Sequence, residues 1–267
     1  MQKSYKENKL EDGILSKLSG KSKQIASLIF NDREIITLQN HSNIVSIKRL
    51  GYNDHGPVHM KKTALNAMIM FGLLKNKNIK FNLEKEELGN SEDSRISILL
   101  ASLLHDIGMS IGRDNHEFLS VNLSIPIITR LLKKIYPKNI EKRTVIRSTV
   151  IEGIIGHMAN RTITSIEAGL VIIADGCDLE KGRARIPSLL SNEAKAGDIH
   201  RFSAQTITKL EIDEGKNKPI RINVHMKESA GLFQVEKVLL PKIKFSTIKP
   251  FIELYATINN SKKRNYL

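Results

Sequence analysis

Apolar residues recur three and four positions apart along most of the first two hundred residues, and that recurrence predicts a succession of helices. Pro57 suits the first turn of a helix, and after it Ala64, Leu65, Met68, Phe71 and Leu74 keep one face apolar as far as about Lys75. The polar segment "KNKNIKFNLEKEELGNSED" then reads as a loop. Ile96, Leu99, Leu100, Leu103 and Leu104 mark the buried face of a helix ending near Gly108, and further helices fit about 116–134 and 141–158. Another begins at "TSIE", where Thr164 and Glu167 have capping-box spacing. It carries "AGLVIIADGCDLEKG" and is expected to end near Gly182, a C-terminal glycine signal.

The last sixty residues change period. Thr206–Asp213 and Ile220–Met226 read as strands, the second alternating Ile220, Ile222, Val224 and Met226 around the turn segment "GKNKP". "SAGLFQVEKVLLPKI" follows as a short helix and "FIELYATI" as a closing strand. The expected fold class is therefore mainly α with a small C-terminal α+β (ββαβ) unit. Its parts are an N-terminal helical segment (1–50), a helical domain (51–200) and the small unit (201–267). An open strand edge in that unit suits pairing with a second copy as a homodimer. No internal repeat interrupts the pattern.

Composition adds limits. At 267 residues the chain can bury one large domain, or a large one and a small one. No apolar run approaches the ~18 residues of a membrane span, and the N-terminus "MQKSYKENKLEDG" is polar, so a cytoplasmic protein without a membrane partner is expected. The single cysteine excludes an intramolecular disulfide and a Cys-rich zinc site. Cys177 lies in a helical pattern with no Cys-His motif and reads as buried structure. A formal charge of +14 favours anionic partners such as nucleotides or nucleic acid, although a lysine-rich solvated surface gives the same count. Aromatic residues are 5%, with none spaced as a base-stacking platform.

Four polar residues stand at the borders of apolar helical faces: His59, His105, Asp106 and Asp175. Taken one at a time, each reads as a satisfied core residue or a cap. Together, two imidazoles and two carboxylates without sulfur suit a hard-to-borderline divalent ion such as Mn²⁺, Fe²⁺ or Mg²⁺. Helix bundles bring such ligands to one point from separate helices. His41, His200 and His225 belong to no such set.

The order of these residues, His59, then "HDIG" at His105-Asp106, then "IIADGCDLEKGR" around Asp175, resembles the HD-domain superfamily of metal-dependent phosphohydrolases. "RLGYNDHGPVH" is similar to a group of uncharacterised archaeal HD-domain proteins. The superfamily pattern covers about residues 50–185, and the likeness to the archaeal group extends further. The resemblance implies an HD-type helical bundle in which His59, His105, Asp106 and Asp175 bind one metal and a phosphate ester is hydrolysed. Some HD proteins, the HD-GYP phosphodiesterases among them, carry extra histidines between the HD pair and the last aspartate. His116 and His157 stand in comparable order and would hold a second ion. The GYP word and the second adjacent histidine of that subfamily are missing here, which speaks against cyclic-dinucleotide specificity.

A substrate phosphate also needs cations. Arg113 follows the HD pair by a short loop, and Lys181, Arg183 and Arg185 follow Asp175; guanidinium groups suit bidentate phosphate contact. Arg113 and Arg183 are the expected substrate contacts, with "EKGRAR" read alternatively as basic residues offsetting a helix end. Asp106 is expected to act catalytically as well as ligate, by holding the attacking water. His55 and Asp54 suit outer contacts, or in the case of Asp54 a turn. The expected protein is a phosphohydrolase acting on a nucleotide or related phosphorylated small molecule. Two alternatives remain: an RNA/DNA phosphodiesterase or nuclease, and a non-catalytic nucleotide-sensing or interaction module.

Overall fold

The computed structural model describes residues 3–179, 198–259 and 263–267. Its first helix, α1 (Tyr5–Leu15), opens on a reciprocal capping box in which the Ser4 hydroxyl accepts from the Glu7 N–H and the Glu7 carboxylate from the Ser4 N–H. α2 (Gly20–Phe30) and α3 (Arg33–Ile44) follow, with Asp32 capping α3. A π-helical segment, Val45–Arg49, then leads into the loop before α4 (Pro57–Asn76). The bundle is completed by α5 (Asn82–Lys85), α6 (Ser91–Leu104), α7 (His116–Ile135), α8 (Ile140–Gly156) and α9 (Ile166–Gly176), while α10 (Asp198–Thr206) packs on the C-terminal unit.

α6 is its axis, packed against α2, α4, α8 and α9. Ile96, Leu99, Leu100, Leu103 and Leu104 are all fully buried, as their spacing predicts. Every residue of α9 is buried as well, the condition of a helix apolar on all sides. Ala64, Met68, Phe71 and Leu74 of α4 are also in the core, whereas Leu65 is only partly buried.

In the C-terminal unit β1 (Ile207–Glu214) and β2 (Ile220–Met226) form an antiparallel hairpin, and β3 (Ile252–Ile258) pairs parallel with β2. A parallel pair needs a crossover, which the helical stretch 229–245 supplies. β4 (Arg264–Asn265), absent from the sequence reading, closes the order β1-β2-β3-β4. The fold is thus mainly α with a small α+β unit, as expected. The Ser246 and Thr247 hydroxyls seat that unit on α9 by donating to the carbonyls of Gly169 and Ser165 (2.8 and 2.7 Å). One apolar core runs through helices and sheet. Among the described residues no helix is long and apolar enough to cross a membrane.

Several boundaries differ from expectation. Ser165, not Thr164, caps α9, because Glu152 takes the Thr164 hydroxyl and N–H. Glu167 makes no capping box: it accepts from the N–H groups of Asn82 and Leu83 and from the Ser94 hydroxyl. That demand orders α5 inside the segment expected as loop. α9 ends at Gly176, and Gly182 lies outside the described residues. α6 ends at Leu104, and the chain turns through a 3₁₀ segment, Ile107–Ser110.

Gly108 makes that turn possible. A Cβ there would lie 2.2 Å from the His116 carbonyl oxygen and 2.5 Å from the Ser120 nitrogen, both rigid backbone. Gly108→Ala is therefore expected to push the start of α7 away and cost about 1–3 kcal/mol, read as a lower urea midpoint at unchanged slope. An unchanged midpoint would show that the turn has slack.

Candidate metal centre

The six histidines and aspartates implicated by the sequence sit at or near helix ends. His59 is in the first turn of α4, His105 and His157 are the C-caps of α6 and α8, His116 opens α7, and Asp175 is next to last in α9. Asp106 joins α6 to the 3₁₀ turn. Asn115, in the left-handed conformation that asparagine tolerates, bends the chain just before His116. Helix C-termini carry free carbonyls, and His105 and His157 use those of their own last turns, whereas His116 uses a carbonyl of the loop before its helix. Nδ1 of His105 donates to Ser102, that of His116 to Arg113 and that of His157 to Ile154, at 2.9, 3.0 and 2.6 Å. Nδ1 of His59 is held by Asp178 at 2.7 Å.

The opposite edges of the rings converge in two sets. In the first, His59 Nε2 lies 3.2 Å from His105 Nε2, 3.3 Å from Asp106 Oδ2 and 3.2 Å from Asp175 Oδ1. In the second, Asp106 Oδ1 lies 3.2 Å from His116 Nε2 and 3.4 Å from His157 Nε2, with the two imidazoles 3.1 Å apart. Asp106 thus places one oxygen in each set. Groups within this cluster can hold a metal ion.

The donor chemistry tests that fit. A carbonyl only accepts, so Nδ1 of His105, His116 and His157 carries the proton and the neutral ring offers a lone pair at Nε2. Each set therefore gathers acceptors around a point with no donor among them, and such buried groups require positive charge. Adjacent donors on an octahedral ion bound at about 2.1 Å lie about 3 Å apart, close to the separations found. All six residues are buried.

Electrostatics favour the binding forms of Asp106, Asp175 and His157, but not that of His116. Burial pushes Asp106 upward, but the imidazoles of His105 and His55 outweigh it and hold its pKa well below the usual carboxylate range. Burial opposes the Asp175 charge in the same way, and the Lys242 ammonium, then His59, hold it low. Burial lowers His157 to about 4, so its ring is neutral near pH 7. At His116 burial also acts downward, but Asp106 prevails and the pKa is raised.

Around this centre His55 bonds through Nδ1 to the Asn53 carbonyl and the Ser46 hydroxyl, while its Nε2 faces Arg113 at 3.5 Å. Arg113 also lies over the Tyr52 ring, 5.7 Å from its centroid. Asp54 forms the turn, accepting from the Gly56 N–H at 2.7 Å. Cys177 is buried and free, and burial raises its thiol pKa. Lys181, Arg183 and Arg185 lie outside the described residues.

Two residues were missed. Asp178, which orients His59, stands three positions after Asp175, a helical spacing that could have marked it. Lys242 donates to Asp175 Oδ2 and, at 3.1 Å, to the His157 carbonyl. It comes from the C-terminal unit, and no local signal pointed to it.

A protein of Methanocaldococcus jannaschii, "Uncharacterized protein MJ1020", is 40% identical to this chain over 248 residues, 93% of each. The chain belongs to that protein's family. A match of that length takes in both donor sets and Lys242, so the family spans the bundle and most of the C-terminal unit rather than one of them. No protein-family model matches the chain. No solved structure matches it either.

Proposed function

We propose that this protein is a metal-dependent phosphohydrolase of the HD-domain type, acting on a nucleotide or related small phosphate ester. The observation that carries this reading is Asp106, whose two oxygens join two all-acceptor donor sets. His59, His105, Asp106 and Asp175 would hold one ion, and Asp106, His116 and His157 a second. Nitrogen and oxygen donors without sulfur suit Mn²⁺, Fe²⁺ or Mg²⁺. Such ions, when bound, lower the pKa of water and polarise a phosphoryl oxygen.

The chain's own residues do the rest. The Nδ1 partners fix each ring's tautomer and direction, as outer partners of metal-bound histidines do. Asp106 offers one oxygen to each set, so in this reading it would serve both ions as a ligand, and holding the attacking water remains its proposed second role. Arg113, with His55 beside the centre, presents a planar fork suited to the oxygens of a substrate phosphate.

The test is turnover of phosphomonoesters, phosphodiesters, nucleotides and RNA by protein loaded with Mn²⁺, Fe²⁺ or Mg²⁺. Hydrolysis abolished by chelation and restored by metal is expected. Protein carrying two equivalents of metal and cleaving none of these would instead be a binding or sensing module. The +14 charge favours RNA as the second reading; its mark would be an affinity falling steeply with salt.

A further inference from the structure

The helical stretch 229–245 has two faces set by helical spacing. Val235, Leu239 and Ile243 are fully buried in the core. On the other side Lys237, Pro241 and Lys244, with Val238, Lys242 and Phe245 beside them, meet Met158 and Ala159 around an open cavity of about 550 Å³. Three of these lining residues are lysines and none is acidic. The lining is apolar apart from the three lysines, a composition that suits an anion attached to an organic group.

Lys242 links this cavity to the metal centre. Its ammonium donates to Asp175, a member of the first donor set, and to the backbone of His157, a member of the second. The π-helical segment Val235–Leu239 lies just before it, and interruptions of this kind recur at functional sites.

We infer that the cavity binds the outer phosphates of a substrate carrying a chain of two or more, with Lys242 as the cation shared between the chain and the metal centre. Lys237 and Lys244 add two exposed cations to the lining beyond Lys242, so a chain of phosphates would meet more than one ammonium where a lone phosphate need not. Ammonium groups act there as point charges for successive phosphates. This assignment rests on the phosphohydrolase reading for its catalytic meaning but not for the binding itself.

The test uses metal-free full-length protein, with inorganic triphosphate and inorganic phosphate as calorimetric probes at about 0.15 M salt, where long-range charge is screened. Triphosphate is expected to bind more tightly than phosphate. In the Lys237→Met/Lys244→Met variant its Kd should rise about tenfold, the scale of one charge-assisted hydrogen bond, with phosphate binding little changed. Both lysines are exposed, so folding and metal content should be kept. Lys23→Met/Lys134→Met, at a separate cavity between α2 and α7, controls for overall charge.

Equal weakening in both variants, or no triphosphate binding by the wild-type protein, overturns the site. With metal loaded, the cleft variant should raise KM for a nucleoside triphosphate while leaving kcat for a monoester unchanged. If no ester is turned over yet triphosphate binding is lost selectively, the phosphohydrolase reading falls and the polyanion site stands. Turnover with triphosphate binding indifferent to the cleft lysines removes the site alone.

Discussion

Asp106→Ala should leave the protein unable to retain two metal ions. Wild-type protein loaded with Mn²⁺ and dialysed is expected to hold close to two equivalents, and the variant well under one. The argument is geometric: Asp106 is the residue with an oxygen in each donor set, at 3.3 Å from His59 Nε2 and 3.2 Å from His116 Nε2. Without it the second set keeps only His116 and His157, two neutral donors too few to hold a hard ion. The first keeps His59, His105 and Asp175, and binds more weakly. Turnover should fall about 10³-fold or more, since metal stabilisation of the reacting phosphate is worth several kcal/mol. Asp106→Asn separates the two roles. Its amide presents one oxygen and one NH₂, so a single set keeps an acceptor and one ion should be lost preferentially. A variant Asp106→Ala that still holds two equivalents would remove Asp106 as the bridge.

The burial of His105, Asp106 and Asp175 was legible because each stands at the border of an apolar helical face, whereas His116 and His157 entered the candidate set only through the likeness to HD-domain proteins. His105 and Asp106 follow Leu103 and Leu104, and Asp175 follows Ile172 and Ile173. The strands of the C-terminal unit were legible for the corresponding reason, since Ile220, Ile222, Val224 and Met226 alternate and all are buried. What failed to show was everything decided by a partner distant in sequence. Glu167 sits at capping-box spacing, yet two backbone N–H groups and a serine hydroxyl across the bundle compete for it and win. α5 exists within a polar segment because Glu167 meets its N–H groups there. Lys242 belongs to the centre through a contact 67 residues from Asp175. Local pattern carries no trace of such pairings.

Lys61→Met is the substitution expected to cost the fold most. Lys61 lies on α4 two residues after His59, its side chain 3% exposed, with Nζ 2.9 Å from Glu7 Oε2 and 2.7 Å from Glu11 Oε1. Lys3 closes the network on the other oxygen of Glu11 at 2.8 Å. This network holds α1 against the helix that carries His59. Removing one partner leaves buried charge uncompensated, a loss of about 3–5 kcal/mol, which is large beside a typical stability of 5–15 kcal/mol. Urea unfolding at pH 7 measures it. The pH dependence has a definite sign. Burial acts to raise Glu7, but the hydrogen bond from Lys61 prevails and its folded pKa lies below 4.5. In the wild type its contribution is therefore full above about pH 4.5 and is lost as pH falls through the folded value. In the variant Glu7 has lost that cation, and protonation relieves the cost of burying it. The stability gap between the two proteins should accordingly be widest near pH 7 and narrow on acidification towards pH 4. Glu7→Gln and Glu11→Gln added to Lys61→Met should recover part of the loss at pH 7, because no buried carboxylate is then left unpaired. A gap below about 1 kcal/mol, or one that stays constant with pH, would mean that apolar packing, not this ion network, fixes α1 to the helix behind the metal centre.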